Sequence, residues 1–264
     1  MRLKGKNAVV VGGGTAWGRD AVVKLAAEGA HVLVLDVEQR KVDGSCAAAE
    51  KAGGTAEGCA IAIDDLEALR GVADTWAASE RPMHALVTHF MATDWNSFEA
   101  IDLDKFTRDL VFNLAGPLAA TKAFLPLLKE AEGASIVHIG SVDGIYGNPR
   151  VPGYSTSKGG LSPMTHIMAH EFAPFDIRVN AIAAAQTVQI PPEAMPKPDR
   201  PGWENFPGAG YIQQLNDANP LKRYGNAGGW ASAIAFLASA DADFITGTTL
   251  VVDCGRTAIT PGTA

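Results

Sequence analysis

The chain has few cysteines and no cluster of basic residues, and each absence excludes a class of protein. Its 264 residues include three cysteines, Cys46, Cys59 and Cys254, which are far apart and form no C-x-x-C pair. Such cysteines are typical of a reducing compartment, so we expect a cytoplasmic protein in which they are small buried residues. The formal net charge of −7 disfavours nucleic acid and anionic membrane surfaces as partners.

A long apolar run is also absent. The apolar segment nearest the N-terminus, Ala8–Val11, is only as long as a strand, so we expect neither a signal peptide nor a membrane span. His166 and His170 are four residues apart on a predicted helix, but no third ligand accompanies them. We therefore expect no metal site, because protein metal sites need more than two such ligands.

What the chain does contain is an alternation of short apolar runs with amphipathic helical patterns. Apolar residues make up 47% of the sequence, enough for the core of one domain over residues 1–264. The predicted strands are Asn7–Val11, His31–Asp36, Ala60–Ile63, Ala85–Thr88, Ser135–Ile139, Arg178–Ile182 and Thr249–Val252. The predicted helices are Gly18–Glu28, Val42–Ala52, Leu66–Ser79, Leu103–Leu128, Ser155–Ala173 and Gly228–Ala238. This order predicts an α/β fold: a doubly wound, Rossmann-type parallel sheet of about seven strands with helices on both faces.

One segment, residues 189–220, interrupts this alternation. It contains many prolines together with the aromatic residues Trp203, Phe206 and Tyr211. A stretch of this length without regular structure inside a compact domain is typical of a functional lid. The aromatic residues favour a lid over an apolar substrate; a surface excursion with its own small cluster is the alternative.

A glycine-rich turn follows the first predicted strand and leads into a helix. It reads Gly12-Gly13-Gly14-Thr15-Ala16-Trp17-Gly18. Glycines let such a turn close, and its N–H groups and the positive end of the helix favour a phosphate. Asp36 ends the second strand, where a carboxylate accepts hydrogen bonds from an adenosine ribose and repels a 2′-phosphate. The two features predict a dinucleotide site that prefers NAD over NADP. The basic residues Arg19, Arg40 and Lys41 are near in sequence and weaken this predicted preference.

A serine, a tyrosine and a lysine form the second chemical signal. Tyr154 and Lys158 are four residues apart on a predicted helix and share a face, and Ser141 lies thirteen residues before the tyrosine. Bringing a phenol pKa of about 10 to neutral pH takes roughly three units, or about 4 kcal/mol. The Lys158 ammonium and a positive nicotinamide are suitable sources of that shift. The three residues predict proton transfer at an alcohol or carbonyl, whereas the tyrosine alone would be an ordinary half-buried side chain.

In this order the motifs resemble the short-chain dehydrogenase/reductase family over nearly the whole chain. The family's glycine turn falls on Val11–Gly18, and Ser141, Tyr154 and Lys158 have the spacing of its active-site residues. Its helix asparagine falls on Asn113. The resemblance implies that Tyr154 is the general acid/base and that Ser141 binds the substrate oxygen. It further implies that Lys158 binds the nicotinamide ribose and that Asn113 holds a water in a proton path.

The resemblance also assigns cofactor and substrate contacts. Cofactor contacts are expected from Gly12, Gly14, Trp17, Gly18, Asp36, Ile63, Thr88, His89, Tyr154, Lys158 and Thr187. Substrate contacts are expected from Ser141, Asp143, Tyr154, Trp95 and Trp203. The chain departs from the family pattern on the cofactor side at Ala16, Ala62–Ile63, Thr88–Met91 and Ala184–Ala185. The proton-transfer residues show no such departure.

The sequence therefore predicts an NAD(P)-dependent oxidoreductase that interconverts a small-molecule secondary alcohol and a ketone by hydride transfer. A catalytically weak relative that binds a ligand or partner is the first alternative, because the cofactor motifs are altered. A lyase or isomerase on the same scaffold is the second. The predicted helices Leu103–Leu128 and Ser155–Ala173 carry apolar residues on more than one side. Family members commonly pair such helices, so the resemblance implies a homotetramer or homodimer.

Overall fold

In the computed structural model, which describes residues 1–185, 204–221 and 227–258, seven parallel strands form one sheet. The strands are β1 (Asn7–Val11), β2 (His31–Asp36), β3 (Thr55–Ala60), β4 (Ala85–Thr88), β5 (Ser135–Ser141), β6 (Arg178–Ala184) and β7 (Thr249–Val252). Their spatial order is β3-β2-β1-β4-β5-β6-β7. Successive strands are added toward one edge from β1 to β3 and toward the other edge from β4 to β7, so the strand order reverses between β1 and β4. A crevice opens there at the carboxyl ends of the strands. The predicted doubly wound parallel sheet is confirmed.

Helices cover both faces of this sheet. They are α1 (Ala16–Ala27), α2 (Gln39–Lys51), α3 (Leu66–Ala77), α4 (Leu103–Leu110), α5 (Gly116–Lys129), α6 (Asp143–Tyr146), α7 (Pro152–Gly159), α8 (Leu161–Phe172), α9 (Ala209–Asp217) and α10 (Ala227–Leu237). Because side chains alternate along β1, Val10 packs in one core with Leu25 of α1, while Val9 packs in the other with Phe124 of α5. Fully burying one such side chain contributes about 1.5–3 kcal/mol.

Strand boundaries follow the apolar runs except at β3, one of the two edge strands. The predicted bounds of β1, β2, β4 and β7 are confirmed, and β5 and β6 each extend two residues further. The predicted strand Ala60–Ile63 is wrong, because β3 occupies Thr55–Ala60. As an edge strand, β3 exposes Thr55 and Glu57, so it lacks an apolar run. Ile63 lies beyond the strand and is buried in the core.

The two long predicted helices are each divided. A π-helical turn, Val111–Ala115, separates α4 from α5, and the predicted helix Ser155–Ala173 begins at Pro152 and divides at Gly160. The run Leu103–Lys129 is long and apolar enough to cross a membrane by length and composition alone. Its side chains Phe124 and Leu128 are fully buried in the core beside the sheet, which explains its apolar character.

The predicted segment 189–220 is described from residue 204 onward. It contains α9, so the expectation of no regular structure is wrong for this part. Ile212 of α9 is buried, and this packing stabilises a helix that Gly208, just before it, and Gly210, in its first turn, conceal in the sequence. Thr187 and Trp203, for which contacts are predicted, lie outside the described residues.

Candidate active site

Ser141, Tyr154 and Lys158 come together at the carboxyl end of β5. Ser141 is the last residue of that strand, and Tyr154 and Lys158 lie on α7. The Ser141 hydroxyl forms a hydrogen bond with the Tyr154 hydroxyl, and Lys158 Nζ lies 5.8 Å from the centroid of the tyrosine ring. All three side chains line one cleft. The residues that the spacing predicted as a unit therefore share a single site.

Lys158 is held by the backbone beneath this cleft. Only 4% of the residue is exposed, and its Nζ donates to the carbonyl oxygens of Phe90 at 2.7 Å and Ile139 at 2.9 Å. An ammonium group has three donors, so one remains for a ligand in the cleft. Burial lowers the pKa of Lys158 to about 7, because the charged form loses its hydration. Near neutral pH the Lys158 amine is therefore only partly protonated.

The ionisation of Tyr154 departs from the expectation. Burial, and after it the negative charge of Asp143, raise the pKa of Tyr154 above its ordinary value. The hydrogen bond with Ser141 acts in the opposite direction because it favours the phenolate. In the chain without a cofactor, Lys158 does not lower the pKa of Tyr154. Its ammonium donates to backbone carbonyls and readily loses its own proton.

Asn113 is a positioning residue behind the cleft. It lies in the π-helical turn and is fully buried. Its Oδ1 accepts from the Ala92 N–H at 2.7 Å, while its Nδ2 donates to the Ala92 carbonyl at 2.7 Å and to Ser157 Oγ at 3.0 Å. Both amide hydrogens are thus used. The side chain ties the segment after β4 to α7, which carries Tyr154 and Lys158.

The glycine turn packs against β4 without room for side chains. Gly12 has φ +85°, and a Cβ added there would lie 1.8 Å from the carbonyl oxygen of His89. A Cβ on Gly18 would lie 2.0 Å from the carbonyl oxygen of Gly12. Thr15 caps α1, since its Oγ1 accepts from the Gly18 N–H at 3.0 Å. Thr15 thus satisfies one of the first N–H groups of α1, and the positive end of the helix lies at the glycine turn, which suits an anion.

Asp36 lies beside this turn and fits a ribose. It is 3% exposed, its Oδ2 accepts from the Gly14 N–H at 2.9 Å, and its Oδ1 accepts from the Val37 N–H at 2.8 Å. Each carboxylate oxygen can accept a further hydrogen bond. The buried carboxylate suits the ribose hydroxyls of a dinucleotide, and the positive end of the neighbouring helix suits its pyrophosphate. The residues present therefore fit the predicted cofactor.

Trp17 and His89 form an aromatic pair between the turn and the cleft. Their rings are stacked, with centroids 6.3 Å apart, and both line the cleft. His89 Nδ1 lies 2.8 Å from Thr15 Oγ1. Burial, together with the charge of Lys158, lowers the pKa of His89 to about 3. The imidazole is therefore neutral at neutral pH.

Several residues on the cofactor side turn away from the cleft. Phe90 lies in Thr88–Met91, where the chain departs from the family pattern. It is 1% exposed and packs edge-on against Phe112, so it does not narrow the crevice. The side chain of Thr88 lies 2.8 Å from His138 Nδ1 in the interior, and Ile63 is in the core. The side chains of Thr88 and Ile63 are therefore buried, and their predicted contacts with a cofactor would have to come from their backbone atoms.

The opposite wall of the cleft is aromatic. Trp95 packs edge-on against Phe206 at 4.9 Å and against Tyr211 at 5.7 Å between ring centroids. Trp95 and Asp143, for which substrate contacts are predicted, both line this cleft. Other lining residues were not predicted as site residues: Met91, Thr93, Asn148, Val151, Phe206, Tyr211, Ile212, Leu215 and Arg256. For Phe206 and Tyr211, the aromatic content of residues 189–220 was the sequence signal that pointed to this wall.

Comparison with known proteins agrees with this architecture. The family model described as Enoyl-(Acyl carrier protein) reductase matches residues 14–257. The 3-oxoacyl-[acyl-carrier-protein] reductase FabG of Thermotoga maritima is 28% identical, over 97% of this chain and 99% of its own length. The 2,5-dichloro-2,5-cyclohexadiene-1,4-diol dehydrogenase of Sphingobium indicum is 30% identical, over 97% of this chain and 99% of its own. The crystal structure of levodione reductase superposes with a TM-score of 0.87 at 25% identity, covering 98% of this chain and 100% of that chain. The chain belongs to the short-chain dehydrogenase/reductase family and is an oxidoreductase.

Proposed function

We propose that the protein interconverts a secondary alcohol and a ketone, with NAD preferred over NADP. One observation carries the proposal: the cleft that Ser141, Tyr154 and Lys158 line also reaches Trp17 and His89 at the glycine turn. Proton transfer and dinucleotide binding therefore share one crevice. The buried carboxylate of Asp36 supports the preference for NAD, because it would repel a 2′-phosphate.

Each residue of the trio has a distinct part in this reaction. When bound, NAD supplies an acceptor for the hydride and a positive ring. Ser141 donates a hydrogen bond to the substrate oxygen, and Tyr154 accepts the hydroxyl proton as the alcohol becomes a ketone. The remaining N–H of Lys158 holds the nicotinamide ribose. Because the chain's own groups raise the pKa of Tyr154, its basic form depends on positive charge entering the cleft.

The proton leaves the site through Lys158. Its pKa of about 7 lets the amine exchange protons with solvent at neutral pH. Asn113 keeps α7, and with it Lys158, aligned with the segment after β4 through its bonds to Ala92 and Ser157. His89 is neutral and positions the turn through Thr15 without taking part in proton transfer.

Ring-shaped, partly apolar alcohols suit the aromatic wall. Trp95, Phe206 and Tyr211 present edges and faces against which a flat or puckered ring packs. The name of the Sphingobium relative, a dehydrogenase of a cyclohexadiene diol, supports a cyclic substrate. Residues 1–264 would serve this reaction as one domain, in the cytoplasm.

A homodimer or homotetramer is the form that we propose for the enzyme. The apolar side chains of Val111, Leu118 and Ile167 are 53%, 43% and 58% exposed on the helical run Leu103–Lys129 and on α8. Pairing these helices between copies would bury them. Light scattering during size-exclusion chromatography tests this, and a monomer at micromolar concentration would contradict it.

A panel of secondary alcohols with NAD or NADP, read at the absorbance of the reduced cofactor, tests the activity. We expect turnover of cyclic alcohols with NAD. Tryptophan fluorescence titrated with NADH runs in parallel, since Trp17 lies at the turn. Quenching by NADH without turnover of any alcohol would favour a ligand-binding protein. Turnover of a substrate without any cofactor would favour a lyase or isomerase.

A further inference from the structure

Two opposite charges face the cleft without pairing with each other. Asp143 and Arg256 both line it. Arg256 is close enough to lower the pKa of Asp143, although burial raises that pKa more. Among the residues that the structure describes, the two side chains form no ion pair. The cleft thus offers an anion and a cation that are not paired with each other.

Asp143 has few hydrogen-bond partners among the residues that the structure describes. Its Oδ2 has one long contact, 3.4 Å from Asn148 Nδ2, and that amide also donates to the Tyr211 hydroxyl at 3.0 Å. No hydrogen bond to Oδ1 occurs within the described part of the chain. A partly buried carboxylate in this state gains most from a ligand that donates a hydrogen bond.

The position of Asp143 relates this carboxylate to the reacting atoms. Its backbone N–H donates to Ser141 Oγ at 3.1 Å, and Ser141 in turn bonds the Tyr154 hydroxyl. The charge of Asp143 also acts on Tyr154. Asp143 is therefore close enough to the reacting site for one molecule to contact both Asp143 and Tyr154.

The pair of charges selects the kind of polar group. A carboxylate on the ligand would be repelled by Asp143, and an ammonium would be repelled by Arg256. A hydroxyl is neutral, donates to a carboxylate and accepts from a guanidinium. It satisfies both side chains with one atom.

We propose that the substrate is a neutral cyclic diol, with one hydroxyl at Ser141 and Tyr154 and the second between Asp143 and Arg256. The ring packs against Trp95. This proposal rests on the proposed function, because it uses the same cleft and the same reaction. The reacting carbon loses its hydroxyl proton to Tyr154 and its hydride to NAD, so the product is a hydroxyketone. The second hydroxyl is unchanged.

The experiment compares kcat/KM for cyclohexanol, the cyclohexanediols, a hydroxycyclohexanecarboxylate and an aminocyclohexanol. We expect one diol to exceed cyclohexanol by about tenfold, since a hydrogen bond to a charged group contributes this much. Asp143→Asn lowers the ratio of diol to cyclohexanol and improves the carboxylate compound. Arg256→Gln lowers the same ratio and improves the amine. Asp74→Asn, an exposed carboxylate on α3, is the matched control and leaves the ratio unchanged.

Calorimetric titration of the same compounds into the Tyr154→Phe variant with NADH measures binding without turnover. Tighter binding of a diol than of cyclohexanol supports the proposal, and equal binding overturns it. Oxidation of cyclohexanol without preference for any diol overturns the diol proposal and leaves the proposed function standing. Oxidation of no alcohol, with a diol still bound more tightly than cyclohexanol, overturns the proposed function alone.

Discussion

The carboxylate of Asp143 and the hydroxyl of Tyr154 share one cleft, and the charge of the first opposes ionisation of the second. Asp143→Asn keeps the shape of the side chain and removes this charge. We expect the pKa of Tyr154 to fall as a result. A general base works only when deprotonated, so a lower pKa preserves alcohol oxidation to lower pH. The acidic limb of kcat/KM against pH therefore moves to lower pH.

Cyclohexanol is the suitable substrate for this profile, because it has no second hydroxyl to contact Asp143. Asp74→Asn serves again as the control and should leave the limb in place. A limb that stays fixed or moves to higher pH in Asp143→Asn would mean that Asp143 does not act on the catalytic base.

Tyr154→Phe removes the proton acceptor while the ring keeps its packing. We expect turnover to fall by about 10²–10⁴-fold, the usual contribution of a positioned acid/base group. Binding of NADH, followed by tryptophan fluorescence, should change little. Tyr146→Phe is the matched control, since Tyr146 is 67% exposed and does not line the cleft. More than about a tenth of the original rate in Tyr154→Phe would contradict the assigned role.

The sequence predicts those features of the fold that depend on residues close together in the chain. Strands β1, β2, β4 and β7 have continuous apolar runs, and their bounds are confirmed. The edge strand β3 escaped prediction because exposed side chains interrupt its apolar pattern. The break at Val111–Ala115 escaped because helical periodicity does not distinguish a π turn from an α turn.

The same limit applies to the site. Ser141, Tyr154 and Lys158 are close in sequence. Their spacing predicted that Tyr154 and Lys158 share a helix face and that Ser141, at the end of the adjacent strand, belongs to the same site. Arg256 reaches the cleft from the C-terminal part of the chain, and only tertiary packing brings it there. The raised pKa of Tyr154 was also out of reach, because it follows from burial and from the orientation of neighbouring charges.

Asp36 has two separable roles, and two variants distinguish them. Asp36→Asn keeps an oxygen that accepts from the Gly14 N–H but removes the charge and the acceptor of the Val37 N–H, so preference for NAD over NADP should narrow, with a smaller loss of stability than in Asp36→Ala. Asp36→Ala should narrow it similarly and also destabilise the chain by about 1 kcal/mol, because the Gly14 N–H loses its partner. Cofactor kcat/KM ratios and urea unfolding measure the two effects. Unchanged discrimination in both variants would mean that another group reads the ribose.

Lys158 makes the stability of the cofactor-free chain depend on pH. Its pKa is about 7 when folded and 10.5 in the reference state, so between these values the unfolded chain binds more protons. The free energy of unfolding should therefore rise with pH across this window, by about 1 kcal/mol per pH unit. Lys158→Met removes this contribution. Urea unfolding of both chains across the window measures it, and parallel curves for the two chains would contradict a buried, easily deprotonated lysine.

Gly12 and Gly5 form a matched pair for testing the turn. Both have positive φ, +85° and +73°, but a Cβ on Gly12 would lie 1.8 Å from the His89 carbonyl oxygen, whereas one on Gly5 has no atom within 4 Å. Alanine at either position bears the backbone cost of about 1 kcal/mol, and Gly12→Ala should lose about 1–3 kcal/mol more, because the clash is with backbone. Gly12→Ala should also weaken NADH binding, since β4 and the turn must separate to admit the methyl group. Equal losses of unfolding free energy in the two variants would show that the turn yields easily, and that close packing against His89 does not set its shape.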